Sequence, residues 1–287
     1  MLVPARLRPT VRRGRSKSVG GGCYIAIMTT SPAVPPEGLP RLTWRQAMTR
    51  DLRTKGQLAK RRRLPVRPPA ALVVIDGREF ELYRDRDTID LEAERWRSIR
   101  WADEMLRSNA VILDTETTGT DPNTDRAVQI AVLDMRGNVL LDTLLDPGVP
   151  IPAEASAIHG YLDADVAGRP AFAEVLPRLS EVLAGPARPV VVYNSRYDGR
   201  LLRAEVARVR SLDYAMAWSR GFSWKCAMTV YGWFRGEWDE RRGDWRRHAL
   251  PGGDHNAVGD CRAVLRLIEA MAEAVDDPPF DPAALDD

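Results

Sequence analysis

The sequence predicts an α/β protein: a mixed β-sheet packed by helices, preceded by a small accessory segment. Three patterns carry that expectation. Short apolar runs at 110–114 and 189–194 have the length of buried strands. Between them, 127–135 and 138–146 alternate apolar and polar positions around Arg136-Gly137, as the two arms of a hairpin do. Apolar residues at helical spacing mark 172–183, 196–209 and 257–274. Strand, hairpin, helix, strand and helix in that order require a sheet with helices against it.

The chain ahead of this pattern reads as follows. Residues 1–27 are rich in Arg and Gly and have no usable periodicity, and GGGCYIAIM is too short and too glycine-rich for a signal-peptide core. Met28 opens a more ordinary start. Residues 1–27 are therefore expected to be disordered or to lie upstream of the true translation start, which the intact mass of the native protein decides. Residues 29–40 are Pro-rich and read as linker. A helix is expected over 43–60, with Trp44, Met48, Leu52 and Leu58 as its apolar positions, stopped by the run from Lys60 to Arg63 and the prolines after it. Residues 71–84 read as two strands about Asp76-Gly77, and 91–106 as an amphipathic helix. This divides the chain into a basic, disordered segment (1–40), a helix-and-hairpin accessory module (41–107), the α/β domain (108–274) and an acidic tail (275–287).

Net charge is +2, but it is unevenly spread. Residues 1–67 hold 16 Lys/Arg against two acids, a balance of +14 that leaves −12 for the rest. A basic arm on an acidic body suits contact with a polyanion; a solvated tail is the plainer alternative. Three widely spaced cysteines (Cys23, Cys226 and Cys261) make neither a disulfide framework nor a zinc pattern, which suits a reducing, cytoplasmic location. No apolar run approaches the roughly 18 residues of a membrane span.

The chemistry lies in scattered acids. Asp114 and Glu116 (VILDTETTG) are two apart on a predicted strand and so point to one face, where they repel unless a cation sits between them. Oxygen-only ligands favour Mg²⁺ or Mn²⁺ over zinc. An acid pair facing solvent beyond the strand is the plainer alternative. Asp198 precedes Leu201 and Leu202 by three and four residues, on the inward face of its helix, although Ser195 would also suit a capping box with it. His255 and Asp260 are five apart, about 140° on a helix, so His255 belongs in the loop or at the helix entrance while Asp260 shares the apolar face of Val264 and Leu267. Acids on apolar faces need a cation or a donor.

The segments DTETTG, IHG, YNSRYD and HNAVGD, in this order and spacing, resemble the motifs of the DEDDh 3′→5′ exonucleases. That family includes the proofreading subunit of bacterial replicative polymerase, oligoribonuclease and the tRNA-trimming ribonuclease. The resemblance covers about residues 108–274 and implies a ribonuclease H-like, five-stranded mixed sheet. It further implies two divalent cations. Asp114, Glu116 and Asp260 would hold one, Asp114 would also touch the second, and Asp198 would act largely through water. His255 would be the general base. Thr117 and Thr118 would line the 3′-terminal nucleotide site, with His159, Asn194 and Tyr197 flanking the terminal sugar and base. Two departures stand out. Tyr197 replaces the family's usual phenylalanine. The stretch 229–255 carries Trp233, Trp238 and Trp245 with Arg241, Arg242, Arg246 and Arg247, either a stacking and phosphate-binding loop or a surface loop whose tryptophans pack on the core.

The expected activity is Mg²⁺- or Mn²⁺-dependent removal of nucleoside 5′-monophosphates from single-stranded 3′ ends. DNA comes ahead of RNA, proofreading or repair is the setting, a DNA polymerase is a possible partner, and no membrane is involved. RNA 3′-end trimming is the nearest alternative, and a non-catalytic nucleic-acid or polymerase-binding adaptor is the rival of another class.

Overall fold

A computed structural model describes residues 38–274. The expectations for 1–37 and for the acidic tail lie outside the described residues. Among the described residues, no helix is long and apolar enough to cross a membrane.

The accessory stretch differs from its sequence reading. In place of one helix over 43–60 there are two short ones, α1 (Trp44–Thr49) and α2 (Lys55–Ala59), flanking strand β2 (Leu52–Arg53) and preceded by β1 (Arg41–Leu42). The break has a local cause. Thr43 and Thr54 each cap a helix, their hydroxyls accepting from the Gln46 and Gln57 amides while those glutamine side chains bond back to the cap amides. Asp51 between them has φ +53°, which no helix accommodates. Then follow β3 (Arg63–Pro65), β4 (Ala71–Ile75), β5 (Arg78–Arg84) and β6 (Thr88–Asp90). The β4–β5 turn at Asp76-Gly77 has positive φ at both residues (+49° and +78°), the geometry that two-residue hairpins need. The first sheet runs β1-β4-β5-β2 over a core of Ala47, Leu52, Ala71, Val73 and Leu82.

The second sheet positions the site. It is built from β7 (Val111–Thr117), β8 (Ala127–Asp134), β9 (Val139–Leu144), β10 (Pro189–Val192) and β11 (Ser223–Cys226), in the order β11-β10-β7-β8-β9. The β11–β10–β7 ladders are parallel and the β7–β8–β9 ladders antiparallel, so the sheet is mixed and five-stranded as expected. Alternation along β7 sorts the residues to two faces. Val111 and Leu113 pack on α6 (Phe172–Leu183), α7 (Ser195–Val209) and α8 (Leu212–Arg220); Ile112 packs on the face covered by α3 (Leu91–Arg107), α9 (Ala227–Arg235) and α10 (Ala257–Glu273). The helix α3 falls in the accessory stretch by sequence, and its buried Ala102 and Met105 join the core of the five-stranded sheet. Short helices α4 (Ala153–His159) and α5 (Asp163–Val166) cross the end of β8.

Candidate active site

The site forms where β7 and β10 end. Asp114 and Glu116 have the parity of Ile112 and face α10, which brings Asp260 in its first turn to meet them. One carboxylate oxygen from each of Asp114, Glu116 and Asp260 lies within 4.8 Å of the other two. Thr115, between the two acids, faces the opposite layer. Its hydroxyl donates to Asp198 Oδ1 of α7 at 2.8 Å, and both residues are buried. Asp198 therefore approaches from the other face of the sheet and stands outside the set of three. It makes no capping box: the N-cap of α7 is Asn194, and no side-chain cap bond forms there.

Electrostatics follow from this crowding. Burial first, then the charges of Asp198, Asp260 and Glu116, hold the Asp114 carboxyl well above the usual carboxylate range. Burial, with Asp260 and Asp198, pushes Glu116 up to about 8. Burial lifts Asp198 to about 7 against the pull of the Thr115 hydrogen bond. Carboxyls so poised ionise fully when a cation joins them.

His255 sits on the loop before α10, as its spacing from Asp260 requires, exposed and with φ +57°. The loop is anchored on both sides. The Asp254 amide donates to Asp260 Oδ1 at 2.8 Å, and Asn256 caps α10 through the Gly259 amide at 3.2 Å. Beneath it lies a polar relay centred on buried Gln129, which the sequence reading missed. Gln129 Oε1 accepts from the Ala257 amide (3.0 Å) and the Tyr161 hydroxyl (3.1 Å), Tyr161 accepts from Asn256 Nδ2 (2.8 Å), and Gln129 Nε2 donates to Asp142 (2.9 Å). A glutamine in the otherwise apolar AVQIAVL was the signal for it.

The remaining expected residues lie on the turn after β7, at the end of α4 and at the start of α7, where Asn194 is the N-cap. Tyr197 reaches across from α7, its hydroxyl bonded to the Gly119 carbonyl and 2.9 Å from Thr117 Oγ1. Its extra oxygen thus ties down the turn after β7. Thr118 is 5% exposed; its hydroxyl donates to Asp125 and accepts the Arg126 amide, so that side chain holds the turn. His159, at the end of α4, accepts the Tyr161 amide on Nδ1 at 3.0 Å, and burial holds it below its ordinary pKa. Of the tryptophans of the variable stretch, Trp245 is buried and Trp233 and Trp238 are half-buried. Trp233, on α9 itself, packs half-buried on the core. Trp238 of β12 (Trp238–Asp239) meets Trp245 of β13 (Asp244–Trp245) edge to face at 5.4 Å, and Trp245 is buried. They do not form a stacking platform.

A family model described as Exonuclease matches residues 111–268. The chain belongs to the exonuclease family. With its acids and histidine in the DTETTG, YNSRYD and HNAVGD segments, this is a DEDDh-type 3′→5′ exonuclease domain. The chain is 31% identical over 202 residues to the uncharacterized exonuclease CP81 of Escherichia phage 186, covering 65% of this chain and 95% of that one. It is 42% identical over 100 residues to a DNA polymerase III subunit epsilon-like protein of Rhodobacter capsulatus, covering 32% of this chain and 14% of the relative. Among solved structures, E. coli exonuclease I in complex with a dA16 oligonucleotide aligns with a TM-score of 0.47 at 20% identity, over 60% of this exonuclease and 42% of that chain. The chain thus spans nearly all of the phage relative but less than half of exonuclease I.

Proposed function

We propose that this exonuclease removes nucleoside 5′-monophosphates from single-stranded DNA 3′ ends, with two Mg²⁺ or Mn²⁺ ions, in replication proofreading or repair in the cytoplasm. The observation that carries the reading is the convergence of Asp114, Glu116 and Asp260, all oxygen donors, with the Asp114 and Glu116 carboxyls raised by burial and by their neighbours' charge, a cost that a cation would relieve. Such a donor set fits a hard divalent ion. Asp114, Glu116 and Asp260 would hold one ion, and Asp114 with Asp198, which stands outside the set of three, would serve the second. When bound, the ions polarise the scissile phosphate and the attacking water.

His255, on the exposed loop before α10, would be the general base that takes the proton from the attacking water, where a fifth carboxylate would add to the crowded negative charge. Thr117 and Thr118 shape the turn that receives the terminal nucleotide. His159, Asn194 and Tyr197 flank its sugar and base. The polymerase III epsilon-like relative supports the replication setting and a polymerase as partner.

The test is digestion of matched 5′-labelled single-stranded DNA and RNA with Mg²⁺, Mn²⁺ or EDTA, beside Asp114→Ala. The expected result is a metal-dependent ladder shrinking from the 3′ end, faster on DNA and absent in the variant. A faster RNA ladder turns the reading to RNA trimming; no ladder with either metal turns it to a binding role.

A further inference from the structure

Besides Glu116 and Asp198, a further acid is buried: Glu205 of α7, 1% exposed. It follows Asp198 by seven residues, close to two helical turns, so both project from one face of the helix. Asp198 reaches Thr115 of β7, whereas Glu205 reaches the start of β8. Its Oε1 accepts from Arg126 Nε at 2.8 Å and from the Ala127 amide at 3.1 Å, and Arg208 Nη1 lies 3.2 Å away. Its Oε2 is buried without a hydrogen bond among the described residues. The Ala127 amide bonds Glu205 where the β7–β8 ladder slips: Glu116 stands opposite Gln129, but Thr117 stands opposite Ala127. Bulges of this kind occur beside active sites, where they re-aim side chains.

Arg208 also binds the loop between β7 and β8. It donates to the Asp125 carbonyl (3.0 Å) and to the Asn123 carbonyl (2.6 Å). The hold then passes on to the turn after β7. The Asp125 carboxylate accepts from the Thr118 hydroxyl (3.2 Å) and the Asp121 amide (2.7 Å). The Arg126 amide donates to Thr118 Oγ1 at 3.0 Å, and its carbonyl accepts the Thr118 amide at 3.0 Å. Asp125 lies so near Gly119 that a Cβ there would come within 2.6 Å of its carboxylate. Apolar packing could press α7 on the sheet without the desolvation cost of a buried ion cluster. What charge-assisted bonds add is a fixed direction at each contact.

We infer that Glu205, Arg126 and Arg208 are positioning residues, which hold 123–127 and through it the turn of Thr117, Thr118 and Gly119 in the form that receives the 3′-terminal nucleotide. The inference rests on the nuclease reading above. It adds that α7 serves the site twice, by delivering Asp198 and by preforming the nucleotide turn before substrate arrives.

The full chain is compared with Arg208→Gln, Glu205→Gln and Glu205→Leu on a 5′-labelled single-stranded DNA oligomer with Mg²⁺, well below each Tm. Arg208→Gln frees the Asn123 and Asp125 carbonyls but leaves Glu205 its bonds to Arg126 and Ala127, so it carries the test should Glu205→Leu fail to fold. Its KM should rise about fivefold, the worth of one net hydrogen bond, with kcat held within about twofold. Glu205→Gln keeps an acceptor and should stay nearer the parent KM than Glu205→Leu. A merely structural role has another signature: fewer folded molecules lower the apparent kcat and leave KM alone. Hydrogen exchange of 118–127 should also quicken in Arg208→Gln, with β9 unchanged. An unmoved KM, or a loss larger in kcat than in KM, overturns the inference. So does exchange as slow as in the parent, whatever the kinetics. If the parent chain cuts nothing, the nuclease reading falls, and exchange alone decides the clamp: quickened exchange upholds its grip on the turn, and unchanged exchange overturns it.

Discussion

A single oxygen distinguishes Tyr197 from the phenylalanine usual at its position, and that oxygen bridges Thr117 and the Gly119 carbonyl. Tyr197→Phe keeps the ring and removes the bridge. Urea unfolding should register a loss of about 1 kcal/mol, the usual net worth of a hydrogen bond, with a rise in KM for oligonucleotides as the turn loosens. The acids make a second, pH-dependent prediction. Asp114, Glu116 and Asp198 have folded-state pKa values raised above the roughly 4 of an unfolded chain. Stability linked to them is complete below that value and is lost as pH rises through about 7 for Asp198 and about 8 for Glu116. In EDTA, Tm should therefore fall as pH is raised across this window. Mg²⁺ should raise Tm more at the alkaline end than at the acid end; an equal rise at both ends would contradict cation binding by these carboxylates. Both predictions concern residues legible in the sequence. Acids two apart on a strand, or three and four residues ahead of buried leucines, announce their faces. The role of Thr115 was not legible, because a threonine between two acids looks the same whether or not a helix from the far side of the sheet delivers a carboxylate to it.

At the scale of elements, the loop that carries His255 is held from below by Gln129 of β8, itself 3% exposed. Gln129→Leu matches the apolar strand but strands the buried Ala257 amide. Chemical denaturation should show a cost of about 1–3 kcal/mol. If the relay positions His255, kcat for the oligonucleotide should drop with KM little changed; a change in KM alone would assign the relay to substrate binding instead. The long elements were readable from periodicity: α6 spans the same residues that its spacing marks, and β4–β5 turn where Asp76-Gly77 says they should. The short ones were not. The 43–60 segment has apolar residues at helical spacing, yet Thr43, Gln46, Thr54 and Gln57 write two helix starts into it, and the second overrides the period of the first. β11 escaped notice because SWKC is too short and mixed to stand out, and it is a strand only by pairing with β10.

For the whole molecule, charge is segregated. Residues 1–37 hold six Lys/Arg against one acid. Residues 41–65 also belong to the basic arm by composition, but they supply β1, β2 and β3, which pair with β4, β5 and β6. A truncation that tests the arm must therefore stop at residue 37. Its removal should weaken single-strand binding chiefly at low salt, with a shallower salt slope and an unchanged Tm; an unaltered slope would make the arm irrelevant to binding. The site itself is shared between layers. β7 brings two acids, α10 brings Asp260 to one face of the sheet, and α7 brings Asp198 against the other. No half of the domain contains the whole set, so a chain that has docked only one helical layer has nothing with which to cut. The last docking step presses like charges together, and a divalent cation is the natural clasp for it. On the proposed reading, the emerging polypeptide would be harmless to nearby nucleic acid until its fold is closed, and the cation that arms it would also mark that folding is complete.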